Sequence, residues 1–269
     1  MLISEAADRK IDILASPMLG NSRLLSFYKI TLRTPDQLLF ETALHEHALD
    51  ILSGICDIHV KDDKGKTYNF TGIGGRTDIF SDLPEFVYIP RNSSYRIRAL
   101  TENFECAVCT VAAAQDSKPA YISKTQVKRL VSGKDNWQRE VFIGLGEEGP
   151  STMLFMGEAD SPPGNWSGYP PNRHTENAPP IERSFEEMYY MKITPMNGFA
   201  LGGIYSDYRC RKETSRITMY GDSQVFNVPS GYHFIAPAPG YHLKYIWILG
   251  GEAQGFGQWV VDPDYQWLL

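Results

Sequence analysis

Nothing in this 269-residue chain approaches the roughly 18 to 20 consecutive apolar positions that a membrane-crossing helix needs, and Met1 to Lys10 lack the apolar stretch of a secretory leader. No membrane partner is expected, and the chain reads as cytoplasmic. Cysteine is scarce: Cys56, Cys106, Cys109 and Cys210 are too few for a disulfide scaffold of this length, in keeping with a reducing compartment. Positive charge is short as well. With 26 Lys and Arg against 32 Asp and Glu the formal net charge is -6, so no long-range field gathers phosphate backbones, and nucleic acid is not an expected partner. Helical periodicity is nearly missing. Lys124 to Leu130 is the one interior stretch that reads as a modest helix, with Ser123 or Thr125 as its cap.

What the chain has is short apolar or alternating runs separated by Gly, Pro, Asn and Asp. They are Leu24 to Leu32, Ala48 to Val60, Phe86 to Pro90, Tyr95 to Leu100 and Cys106 to Val111, and then Thr152 to Met156, Glu187 to Ile193, Ala200 to Tyr205, Gln224 to Pro229, Phe234 to Ala236 and His242 to Leu249. Strands this short, with this many turn signals, predict an all-β protein of sandwiches or barrels. Hydrophobic residues make up 42% of the chain and aromatics 12%, enough for one large core or two smaller ones, and two domains are expected. The polar stretch from Ala112 to Asn136 serves as a linker, which divides the chain into 1–122 and 123–269. The halves share a phrase: Tyr88-Ile-Pro90-Arg-Asn-Ser-Ser94 matches Phe226-Asn-Val-Pro229-Ser-Gly-Tyr-His233, the pattern of a duplicated barrel.

Chemistry concentrates in the second half. His174, Glu187 and His233 offer two imidazoles and a carboxylate, a set that suits zinc, manganese or iron while leaving positions open for a substrate's oxygens. Alternation along Glu186-Glu187-Met188-Tyr189 lets only one of the two glutamates face that point, and parity alone does not say which. Cys106-Ala-Val-Cys109 has redox spacing but sits in a run that reads as a buried strand, where cysteine packs as a small apolar residue. His45-Glu46-His47 puts two imidazoles on one strand face, with no third ligand later in its half.

Gly164-Asn-Trp-Ser-Gly-Tyr-Pro-Pro171, His174, Phe185-Glu-Glu-Met-Tyr-Tyr190, Gly198-Phe-Ala200, Tyr205-Ser-Asp207, Val228-Pro-Ser-Gly-Tyr-His233, Pro239-Gly-Tyr241 and Asp262-Pro-Asp264 with Trp267 resemble the 5-deoxy-glucuronate isomerase family of myo-inositol catabolism. Leu52-Ser-Gly54, Gly72-Ile-Gly-Gly-Arg76 and Ala107-Val-Cys109 add to the resemblance in the first half. It implies two tandem cupin barrels (double-stranded β-helix, or jelly-roll), the second holding a divalent metal on His174, Glu187 and His233. Related patterns favour Glu187 over Glu186. The chain departs from the family where His-x-His follows Tyr-Pro-Pro: here Asn172-Arg173-His174 puts an amide in place of the first imidazole, able to offer a carbonyl oxygen. Phe234 and His242 stand where proline and aspartate are usual.

The resemblance further implies an aldose-ketose isomerase converting 5-deoxy-D-glucuronate to 5-dehydro-2-deoxy-D-gluconate. Glu187 and Tyr189 would be catalytic, and Arg173, Tyr169 and Tyr232 would bind a small sugar acid. Arg183, Arg209 and Lys244 are further candidates for the carboxylate. Open barrel edges lead to the expectation of a homo-oligomer. The alternative is a degenerate bicupin that binds a sugar acid without converting it, supported by Asn172. A metal-dependent dioxygenase on the same fold is a third class, marked by oxygen consumption.

Overall fold

Side-chain alternation turns most of this chain into strands. In Gln37–Glu41 only Leu38 and Phe40 point inward, and in Ser94–Ala99 only Tyr95, Ile97 and Ala99 are buried. The computed structural model describes residues 10–251 and 255–269; positions 1–9 of the stretch read above for a leader lie outside them. No helix among the described residues is long and apolar enough to cross a membrane.

The chain forms two units, each an all-β barrel of two sheets. One comprises residues up to Lys128 together with Gly144–Phe155, and the other Arg129–Ile143 together with residues from Met156 onward. The expected division was a single cut between 122 and 123; the structure instead groups residues 144–155 with the first unit.

The first unit has a six-stranded sheet in the order Lys10–Ala15, Ser26–Leu32, Phe104–Ala112, His45–Ser53, Phe86–Ile89, Ala120–Ile122, and a four-stranded sheet in the order Gln37–Glu41, Ser94–Ala99, Ile55–Lys61, Thr67–Gly74. Their inner faces meet in one apolar cluster that includes Ile30, Phe40, Leu49, Ile58, Tyr95, Ile97 and Phe104. The run from Ala48 to Val60 is two strands rather than one. Gly54 turns the chain between them at φ +76°, where a Cβ would come within 2.4 Å of Thr101 Oγ1 and 2.9 Å of Phe104 Cα. Cys106 and Cys109, three apart on one strand, point to opposite faces and are fully buried; Cys106 belongs to the apolar cluster.

His45-Glu46-His47 divides by the same alternation. His45 is exposed and His47 turns into the barrel, while Glu46 is buried on the opposite face. The Glu46 carboxylate accepts the Tyr88 hydroxyl (2.8 Å), the Thr152 hydroxyl (2.7 Å) and the backbone N–H groups of Thr152, Met153 and Leu154 (3.0, 2.8 and 2.7 Å). A buried carboxylate so fully hydrogen-bonded fixes residues 152–154 within the first unit.

In the second unit one sheet runs Lys128–Ser132, Arg139–Leu145, Leu154–Ser161, His242–Gly251, Phe185–Thr194, Val225–Val228, and the other Arg216–Tyr220, Ala200–Tyr205, Tyr232–Pro237, Ser167–Arg173, Val260–Val261. The helix expected over Lys124 to Leu130 does not form. The Ser123 carbonyl accepts from Gln126 and Val127 N–H, making a single turn, and Leu130 and Val131 then extend into the strand beside Arg139–Leu145. Sheet pairing overrides a weak local preference there.

Candidate metal centre

Both sheets of the second unit contribute to one polar point inside the barrel. Glu187 comes from Phe185–Thr194 in one sheet, paired with Val228 and Leu249. His233 comes from Tyr232–Pro237 in the other, paired with Ile204 and Asn172, and His174 follows directly on Ser167–Arg173. Gly231 makes the turn that presents His233. It sits at φ +95°, and a Cβ there would approach the Tyr205 carbonyl oxygen to 2.8 Å.

The ligand-type atoms of His174, Glu187 and His233 all lie within 4.8 Å of one another, and the three side chains are buried. His174 Nε2 is 2.9 Å from Glu187 Oε2, and His233 Nε2 is 3.0 Å from the same oxygen. Each ring is fixed from behind: His174 Nδ1 donates to the Phe185 carbonyl (2.9 Å) and His233 Nδ1 to the Gly231 carbonyl (3.2 Å). That assignment leaves a lone pair on each Nε2 aimed at the carboxylate. Three electron-pair donors converging in a buried place repel unless a proton or a cation lies between them. A divalent ion about 2.1 Å from two ligands holds them about 3 Å apart at a right angle and about 3.4 Å apart in a tetrahedron, which the Glu187 to imidazole separations fit. Among the described residues no other group of three such side chains comes this close.

The electrostatics agree. Burial would raise the Glu187 pKa, but the two imidazoles set against its carboxylate outweigh it and hold the carboxyl at about 2. Burial would lower His174, and the Glu187 carboxylate against its ring more than reverses this, leaving it above its ordinary value. The Tyr189 hydroxyl lies 2.8 Å from His233 Nε2, and burial, with the Glu187 charge nearby, pushes its pKa well above the usual phenol value.

A cavity of about 400 Å³ opens onto this point. Alternation sorts the other expected residues. Asn172, Tyr169 and Tyr189 line the cavity with His174 and Glu187. Glu186, on the opposite face from Glu187, is fully buried and accepts the Asn227 amide at 3.0 Å. Arg173 and Tyr232 are not brought to the cavity wall. Arg173 pairs with Glu176 (3.2 Å) and Glu182 (3.3 Å) and lies 5.4 Å from the centre of the Tyr232 ring, which stacks on Tyr205. Arg183 donates to Asn177, Arg209 pairs with Asp207, and Lys244 pairs with Glu158. The cation that does line the cavity is Arg139, which the sequence reading left out. Its signal was present: Arg139, Val141 and Ile143 share one face of a strand, and all three line the cavity.

A small double-sheet barrel that gathers two imidazoles and a carboxylate in its lumen has the architecture of a cupin with one metal-type centre. The model of the KduI/IolB family matches residues 3–268, and the chain belongs to that family. It is 35% identical over 231 residues to a protein of Geobacillus thermodenitrificans named 5-deoxy-glucuronate isomerase, covering 85% of this chain and 80% of that one. A protein of the same name from Bacillus subtilis is 30% identical over 203 residues, covering 74% and 73%. Among solved structures, an IolB-like protein of Salmonella typhimurium superposes with a TM-score of 0.86 at 24% identity over 94% of this chain and 93% of that one. An oxalate decarboxylase of Lactobacillus farciminis superposes at 0.69 with 10% identity, over 94% and 85%, a likeness of fold alone.

Proposed function

We propose that this chain is an aldose-ketose isomerase acting on 5-deoxy-glucuronate, with the His174, Glu187 and His233 group as a divalent metal centre. The observation that carries the reading is the pair of back-pinned imidazoles aimed at one buried carboxylate oxygen, in a chain whose relatives bear that isomerase name. Asn172 stands beside His174 on the cavity wall and would offer a carbonyl oxygen to the same ion. When bound, zinc, manganese or iron would polarise the sugar's carbonyl and acidify the neighbouring carbon-bound proton.

The reaction moves one proton between adjacent carbons and exchanges carbonyl for hydroxyl, so it needs a proton acceptor and a donor to oxygen. Tyr189 suits the donor role: its phenol is protonated at neutral pH and it lines the cavity beside Glu187. Glu187 is the ionised carboxylate at hand. Pro170 and Tyr169 close one wall of the cavity.

Elemental analysis of the freshly purified protein, combined with an assay on 5-deoxy-glucuronate, tests this reading. About one divalent ion per chain and turnover that chelation abolishes are expected; metal-free protein with full turnover, or metal-loaded protein with none, would overturn it. Asn172 favours a second reading, a barrel that binds a sugar acid without converting it, and that reading predicts binding of the acid with no turnover and weakly held or absent metal.

A further inference from the structure

We propose that Arg139 reads the carboxylate of the substrate and so makes the cavity specific for acids over neutral sugars, which rests on the sugar-acid reading above. Among the described residues Arg139 is the one lysine or arginine on the wall of the 400 Å³ cavity. The other cations considered for this role are already engaged: Arg173 with two glutamates, Arg209 with Asp207, Lys244 with Glu158, and Arg183 with the Asn177 amide. Arg139 has no carboxylate partner among the described residues. Its Nη1 donates to the backbone carbonyls of Trp137 and Tyr169, both at 3.2 Å, and the Tyr245 hydroxyl is a further neighbour.

Those two carbonyls hold the guanidinium in place without neutralising it. A half-buried cation held this way is a pre-organised receptor for an anion, and the planar fork of Nε and Nη2 matches a carboxylate in two parallel hydrogen bonds. The cavity therefore has two chemically distinct parts, an acidic and imidazole-bearing one at Glu187 and His174, and a cationic one at Arg139. A sugar acid has the same polarity along its length, a carbonyl at one end and a carboxylate at the other. Pocket volumes of about 300 to 1,000 Å³ are typical for ligands of this size.

The test compares 5-deoxy-D-glucuronate with its C6 amide, a neutral isostere, on the wild type, Arg139→Gln and Arg139→Lys. The readouts are steady-state kinetics and direct calorimetric binding, with metal content and near-UV circular dichroism as checks on integrity. The wild type should prefer the acid. Arg139→Gln should raise KM and Kd for the acid by about 100-fold while changing the amide by less than about threefold, as expected for loss of a charge-assisted bidentate contact. Arg139→Lys should recover part of that preference, since it keeps the charge and loses the fork.

An acid-to-amide ratio unchanged in Arg139→Gln overturns the assignment, as does a wild type that binds acid and amide alike. Should Arg139→Gln fail to fold, Arg139→Lys decides: a preference lowered about tenfold supports the assignment, and an unchanged one overturns it. The two proposals fail separately. A wild type that binds the acid tightly but does not turn it over removes the isomerase reading and leaves the binding ratio to judge Arg139. Full turnover with an unaltered ratio in the variants removes only Arg139.

Discussion

In the first barrel the strand His45–Ser53 sets His47 opposite Ile89, one residue before Pro90. In the second, Phe185–Thr194 sets Glu187 opposite Val228, one residue before Pro229. The same offset from those prolines matches Ser94 to His233. The strand pairings correspond up to the proline turn, and beyond it the inward residue is Tyr95 in the first barrel and His233, one position earlier in that count, in the second. Where the second barrel has a carboxylate facing two imidazoles, the first has a buried His47 whose Nδ1 meets the Tyr95 hydroxyl at 2.9 Å, with Phe40 stacked on Tyr95 at 4.9 Å between ring centres. An aromatic plug takes the place that a ligand set takes in the other copy. The comparison teaches that the barrel is a neutral scaffold, and that two or three inward positions decide whether it is filled or reactive.

The harshest way to break the contrast is to strip the reactive barrel of a ligand. His233→Ala should lose bound metal and lower turnover by at least about 1,000-fold, with its circular dichroism unchanged; elemental analysis showing full metal retention would refute the ligand role. Next comes the plug. Tyr95→Ala should cost about 3 to 5 kcal/mol of stability through the cavity it leaves, read from the denaturant midpoint, while turnover per folded molecule stays at the wild-type value. Equal losses of stability and turnover would show that the barrels do not divide their labour.

A smaller effect is expected from Asn172→His, which makes the second lumen richer in imidazole. Metal affinity should rise at least about tenfold in competition with a chelator, and no change would mean that position 172 does not reach the ion.

The smallest is a matter of pH. Burial, with help from the His45 charge, lowers His47 from 6.5 to about 3, so between these values the unfolded chain takes up a proton that the folded chain refuses. Stability from this residue is therefore full above about pH 6.5 and declines as pH falls toward 3. The urea midpoint of the wild type should drop more between pH 7 and pH 5 than that of His47→Gln; parallel drops would remove the histidine as the cause.

Much of this was legible in the sequence because alternation is a local signal. The strands at Ser26–Leu32, Phe86–Ile89 and Ala200–Tyr205 follow directly from it. Other strands escaped notice for physical reasons. Ser167–Arg173 contains Gly168, Pro170 and Pro171, which read as a loop, yet its pairing is interrupted by an irregularity that accommodates them. Arg216–Tyr220 is exposed on one edge and buries almost nothing, so no apolar pattern marks it.

The site was partly legible. Parity narrowed the ligand to one of two glutamates and the family resemblance favoured Glu187, while the lumen face itself is visible only in the fold, where Glu187 lines the cavity. The same limit misdirected Arg173: its neighbours Asn172 and His174 face the cavity, so it cannot. Arg139 was overlooked because it lies 35 residues before His174 in a stretch assigned to no strand, and only pairing across the sheet brings it to the cavity.

The segment 144–155, grouped with the first unit and held by Glu46, runs from the end of the strand Arg139–Leu145 to the start of Leu154–Ser161 and so interrupts the chain of the second unit. Neither half can be obtained by a single cut. A fragment ending at Lys128 would leave the Glu46 carboxylate without the backbone donors of 152–154, and one beginning at Arg129 would carry 152–154 without the carboxylate that holds them. Separating the barrels for study calls for grafting 144–155 back onto the first one, in the manner of complementing a split protein with its missing piece.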